Sequence, residues 1–305
     1  MTDRSNEPLA EQALLRLSIY VTTGVGLAGV VMGLVTGARS VLFDGIYSIV
    51  DVAMTGLALI VSRLLAKDGS RRFQFGYWHF EPMVAAFNGT VLGLSCLYAL
   101  LDAVIALTSG GNRMEFGPAS LYAIVSAAVC LVMALRVGRA ARALDSELLR
   151  VDSRAFLIGG LVSLALLASF LAGLALERFG RAALAPYVDP LVLIAVILGV
   201  APIPALTVAR GLKEIFLVAP RALDARVRGV LEAARARHGF AGFTSYVAKT
   251  GRARFVDAYF LVPPDFPALS VPAFDAIRDE IAAELDEDGA PLWLNISFTA
   301  DREWA

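Results

Sequence analysis

The sequence predicts a polytopic α-helical membrane domain with six transmembrane helices over residues 1–217, followed by a soluble α+β domain over residues 218–305. Three observations predict it. The 305-residue chain is 57% hydrophobic with a mean hydropathy of +0.67, whereas soluble domains are only about half apolar. Before Val218 the apolar residues fall in runs of about 20, enough for a helix to cross a hydrocarbon core. After Val218 those runs give way to mixed charge and periodic patterns, which places a boundary near Pro220.

The six expected spans are Ala13 to Val35, Val41 to Leu65, Pro82 to Leu107, Ala119 to Val137, Phe156 to Leu176 and Pro190 to Val208. Glycine marks three short joints: Gly37 before the second span, Gly110, Gly111 and Gly117 before the fourth, and Gly180 before the sixth. Those joints hold few basic residues, namely Arg39, Arg113, Arg178 and Arg181. The opposite side gathers Arg63, Lys67, Arg71, Arg72, Arg136, Arg139, Arg142, Arg150, Arg154, Arg210 and Lys213, so the positive-inside rule puts both termini in the cytoplasm. Met1 to Glu11 is polar and lacks the basic, apolar and small-residue succession of a removable signal. Small residues such as Gly24, Gly26, Gly29, Gly33, Gly159 and Gly160 predict close helix packing.

In the soluble domain, Leu223 to Arg237 reads as an amphipathic helix, and Phe243 to Ala248 and Ala253 to Val262 read as strands joined across Thr250, Gly251 and Arg252. Pro263 and Pro264 stop the second strand. Ala273 to Leu285 carries Phe274, Ile277, Ile281 and Leu285 on one face, and Leu292 to Phe298 alternates as a last strand. The order is αββαβ, a ferredoxin-like arrangement with two helices on one sheet face and the other face free for a dimer contact.

A net charge of −1 excludes a general attraction to nucleic acid. The two cysteines, Cys96 and Cys130, lie in apolar segments and read as buried thiols. No phosphate-cradling loop, nucleophile elbow or catalytic carboxylate pair is present in the soluble domain, which argues against an enzyme.

Chemistry concentrates in the second span. Asp44 and Asp51 are seven residues apart, two turns along one helix face, with Tyr47 and Ser48 between them. A carboxylate at the bilayer centre costs about 2.5–3.5 kcal/mol on insertion scales, so two on one stripe point to an ion path. The competing reading is a buried helix contact in which the acids pair with Arg or hydroxyl groups.

With those residues in view, the chain resembles the cation diffusion facilitator family of metal/proton antiporters. The resemblance rests on Phe43-Asp44-Gly45-Ile46-Tyr47-Ser48-Ile49-Val50-Asp51, on Phe75-Gly76-Tyr77-Trp78-His79-Phe80-Glu81-Pro82 and on Asp189-Pro190. It implies a homodimer in a bacterial-type inner membrane that exports a divalent cation against inward proton flow, with no prosthetic group and no nucleic-acid partner. It places the metal ligands of the second span on Tyr47 and Asp51, and the pair of the fifth span, His and Asp in zinc-type members, on Ala155 and Gly159. Two donors of a tetrahedral zinc shell are then absent. The loop before the third span offers Tyr77 and His79, where zinc-type members are His-rich, and the strands around Asp257 and Asn295 lack the His ligands of relatives.

The remaining candidates are oxygen donors: Asp44, Tyr47, Asp51 and Asp152, with Ser48, Asn88 and Asp189 behind them. Such donors suit manganese, magnesium or iron(II) better than zinc or copper(I), with cobalt and zinc still among the candidate cations. In the competing reading Arg154 reaches Asp44 or Asp51 as an internal cation and neutralises the acids, leaving no site. Asp152 and Asp189 near span ends also read as helix N-terminal acids, and Asn88 as packing glue. Because Ala155 and Gly159 supply no ligand, a transport-silent membrane scaffold or regulatory dimer partner stands as the alternative function. An organic ammonium received by the acids and by Tyr47, Tyr77 and Trp78 is a third reading.

Overall fold

The computed structural model describes residues 7–36, 39–67, 71–111, 118–286 and 291–304. It divides into two compact units, Met1–Gly211 and Leu212–Ala305. Among the described residues, six helical segments are long and apolar enough to cross a membrane. They are built from α1 (Glu7–Thr36), α2 (Arg39–Leu65), α3 (Phe80–Thr108), α4 (Pro118–Ala143), α5 (Glu147–Arg178), α6 (Ala185–Val200) and α7 (Pro202–Ile215).

Two elements differ from expectation in ways that bear on the site. The sixth span is two helices. Pro202 and Pro204 lack the N–H groups that would continue the ladder, while Ala201 keeps helical angles and its N–H reaches the Ile197 carbonyl at 2.8 Å. The fifth span starts nine residues before the expected Phe156, so Asp152 and Arg154 lie inside α5. The extension holds because its polar side chains find partners in neighbouring helices.

Helices α1, α2, α4 and α5 enclose Leu15, Val61, Val137, Leu148, Leu149 and Phe156. Helices α3, α5 and α6 enclose Leu92, Cys96, Ile158, Ile197 and Val200. Large apolar side chains also point outward, including Leu94, Leu97, Leu101 and Ile105 on α3 and Leu121, Val125, Val132 and Leu135 on α4. Hydrocarbon accepts that surface and water does not, while the helices satisfy their own backbone groups. The chain is an integral membrane protein.

Glycine sets a tight seam between two helices. A Cβ on Gly45 of α2 would lie 2.5 Å from the Val30 nitrogen and 2.8 Å from the Gly26 oxygen of α1. One on Gly26 would lie 2.7 Å from the Ser48 Cβ. The backbones of α1 and α2 therefore touch, as small-residue seams in membranes allow.

In the second unit, α8 (Arg221–His238) and α9 (Val271–Leu285) cover one face of a sheet of β1 (Gly242–Thr250), β2 (Ala253–Leu261) and β3 (Leu292–Thr299), in the order β1-β2-β3. β1 and β2 form an antiparallel hairpin whose last pair is Thr250 with Ala253, leaving Gly251 and Arg252 as the turn. Gly251 has φ +58°, a conformation that suits glycine. β3 pairs parallel to β2 after the α9 crossover. Val256, Ala258 and Phe260 alternate inward from the central strand and meet Val227 and Leu231 of α8 and Ile277, Ile281 and Leu285 of α9. Gly239 closes α8 at φ +71°. Across the helix pair, Arg237 bonds Glu284 at 3.0 Å and pairs with Glu280, which also meets His238 at 3.2 Å.

Candidate functional site

On α1 a buried stripe of Glu11, Leu15, Ser18 and Thr22 recurs every three or four residues and runs into Gly26 and Gly29. This spacing holds one face of α1 toward the bundle, so Ser18 enters the interior. On α2, Thr55 follows Asp51 by four residues and shares its face.

Asp152 of α5 lies where these helices meet. Ser18 Oγ donates to Asp152 Oδ2 at 2.6 Å, and Thr55 Oγ1 donates to Asp152 Oδ1 at 2.9 Å. Ser18, Thr55 and Asp152 are all buried, at 0%, 2% and 2% exposure. One carboxylate thus ties three helices together with both oxygens occupied. Asp152 is consequently not a helix N-terminal acid, because hydroxyls of other helices satisfy it. Asp51 lies one turn before Thr55 on the same face of α2, which Thr55 joins to Asp152. Two like charges in a weakly polarisable interior are costly, and a positive charge between them relieves both.

The arginine expected to clasp the acids goes elsewhere. Arg154 donates to Thr207 Oγ1 of α7 at 2.7 Å and faces Glu147 at 3.6 Å. Glu147 also pairs with Arg150, and its backbone N–H reaches Glu81 Oε1 of α3 at 3.4 Å. An acid placed at the first turn of α5 suits the helix dipole. These groups join α3, α5 and α7, and among the described residues no arginine pairs with Asp51 or Asp152.

The side chains of Asp44, Tyr47 and Asp189 lie outside the described residues. Ser48 packs at the α1–α2 seam against Gly26. Asn88 is buried in α3 beside Gly89, which faces Thr207 and Val208 of α7. On α5, Ala155 packs with the Leu92 and Ile197 cluster and Gly159 faces Cys130, so the α5 acid that meets α2 is Asp152. His79 rests in an aromatic cluster, 4.5 Å from Phe80 and 6.0 Å from Phe73 between ring centres, with Tyr77 5.1 Å from Phe73. Among the described residues no three His, Cys, Asp or Glu side chains converge. Ser18 and Thr55 were not expected from sequence. Their signal is phase: each repeats at helical spacing with a stripe already marked by glycine or by Asp51.

Residues 15–209 match the profile of the cation efflux transmembrane domain, nearly two thirds of the chain, including Ser18, Asp51, Thr55 and Asp152. The chain belongs to the cation efflux family, the cation diffusion facilitators. This member is 26% identical over 104 residues to the metal cation efflux system protein CzcD of Cupriavidus metallidurans, covering 34% of the chain and 33% of the relative. It is 30% identical over 95 residues to the cadmium, cobalt and zinc/H(+)-K(+) antiporter of Bacillus velezensis, covering 31% and 30%. It is 23% identical over 103 residues to the magnetosome protein MamB of Magnetospirillum gryphiswaldense, covering 34% and 33%. These matches span about a third of each relative's length.

Proposed function

We propose that the chain is a secondary transporter that exports a divalent metal cation from the cytoplasm in exchange for protons. The observation that carries this reading is the placement of two acids, Asp152 buried where α1, α2 and α5 meet and Asp51 on α2 one turn from Thr55, whose hydroxyl bonds Asp152. A divalent cation seated between them neutralises both. When it leaves, the repulsion returns, and protons restore neutrality while the helices move back. Asp51 and Asp152 act as ligands, Tyr47 as a neutral oxygen donor and Asp44 as an access-path acid, with Ser48, Asn88 and Asp189 in lesser roles. The printed names of the relatives, which speak of metal efflux and of exchange with H(+) and K(+), support the class of activity.

An oxygen-only donor set favours manganese, magnesium or iron(II) over cobalt and zinc. The basic residues gathered at the ends of α2, α4 and α7 support cytoplasmic termini. The uncovered face of the β1-β2-β3 sheet, with Tyr246 and Trp293 exposed, supports a homodimer held by the second unit.

Purified protein in liposomes loaded with a pH-sensitive dye tests the exchange. Adding manganese outside is expected to carry cation in and protons out, raising the internal pH above that of empty liposomes. A flat dye signal with Mn²⁺, Fe²⁺, Mg²⁺, Co²⁺ and Zn²⁺ alike would contradict it.

A further inference from the structure

We infer that Ser18 of α1 and Thr55 of α2 are themselves ligands of the transported cation, making α1 part of the site; this rests on the carrier reading above. Their hydroxyls are fully enclosed and take opposite oxygens of Asp152. A hydroxyl has one proton to donate and two lone pairs to offer, so each can keep its bond to Asp152 while its oxygen turns to a cation. The spacing suits that arrangement. In an octahedral shell with metal–oxygen distances of about 2.1 Å, neighbouring ligand oxygens stand about 3 Å apart. The two hydroxyl–carboxylate separations, 2.6 and 2.9 Å, are ordinary hydrogen-bond lengths that fall at or inside such shell edges.

With Asp51 one turn from Thr55 on the same face of α2, helices α1, α2 and α5 bring four oxygen-bearing side chains to one stretch of the bundle. Water completes the shell, as hard cations accept. Ser18 is the only one of the four contributed by α1, which otherwise meets α2 through the Gly26–Gly45 seam. Cation binding then draws α1 toward α5 directly rather than through α2.

Thiol substitution separates a ligand from a residue that only positions Asp152. Full-length protein in detergent is titrated with Mn²⁺ and with Cd²⁺, in wild type, Ser18→Cys and Thr55→Cys. If the hydroxyl oxygens are ligands, sulfur in their place lowers Mn²⁺ affinity and raises Cd²⁺ affinity, moving the ratio at least about tenfold, because soft donors select soft cations. Equal shifts for both ions, or none, in the variants that elute as folded protein would overturn the inference. Should Ser18→Cys fail to fold, the ratio in Thr55→Cys decides. Asp51→Asn is titrated alongside: loss of binding there with unchanged ratios in the cysteine variants sinks only the role of the hydroxyls. Wild type that binds neither ion sinks the carrier reading as well.

Discussion

Asp51→Asn and Asp152→Asn are each expected to reduce cation flux by more than about 100-fold while leaving folding and self-association intact. Residues that merely orient a metal ligand typically cost 10–100-fold in affinity or activity when changed, roughly, so loss of a charged ligand exceeds that. The amide keeps nearly the shape of the acid and can still accept a hydrogen bond. In Asp152→Asn, one of the two hydroxyl bonds, from Ser18 or Thr55, is retained by the amide oxygen and the other must rearrange. The electrostatic change is decisive. With one carboxylate neutral, half of the negative charge that a divalent cation would offset is gone. Flux in liposomes measures the loss, and size-exclusion profiles check the fold. Flux within a few-fold of wild type in either variant would remove that residue from the cation path. Because protons compete with the cation for the same oxygens, wild-type affinity should also fall as pH is lowered.

Gly45→Ala is expected to loosen the helical unit by about 1–3 kcal/mol, the usual cost of inserting a carbon into a packed interior. The added atom would sit 2.5 Å from the Val30 nitrogen and 2.8 Å from the Gly26 oxygen. Both are backbone atoms, so relief requires α1 and α2 to separate. The helix propensity of alanine returns at most about 1 kcal/mol. Gly24→Ala is the internal comparison, since nothing lies within 4 Å of a Cβ there. That variant should be neutral or slightly more stable. Thermal unfolding in detergent reads the difference, and the separation should also lower flux, because Ser18 reaches Asp152 only while α1 stays on the bundle. Equal melting temperatures for the two variants would show that the seam does not hold α1 in place.

The fold was legible because its causes are local or periodic. Apolar runs marked the spans, and the alternation of Val256, Ala258 and Phe260 marked the central strand. Breaks in a helix were less so. The split near Ala201 depends on Pro202 and Pro204, whose effect on a long apolar run is on hydrogen bonding and not on hydropathy. The start of α5 was hidden because Glu147, Arg150, Asp152 and Arg154 look like a loop until their partners in α1, α2, α3 and α7 are known. The same blindness affected the site. Asp51 stood out as an acid in an apolar run, but nothing along the chain says that residue 152, 97 positions away from Thr55, accepts its hydroxyl. Serine and threonine are common in membrane helices as packing residues, so Ser18 and Thr55 carried little weight alone. Their phase with Gly26, Gly29 and Asp51 was the usable clue.

Isothermal titration of the full-length protein with Mn²⁺ reads cation binding at Asp51 itself. Wild type is expected to show a saturable site at one ion per chain, with binding weakened beyond detection in Asp51→Asn. Absence of saturable binding by wild type to Mn²⁺, Fe²⁺, Mg²⁺, Co²⁺ and Zn²⁺, or equal binding by Asp51→Asn, would contradict it and favour a scaffold that keeps the family's fold without its cargo.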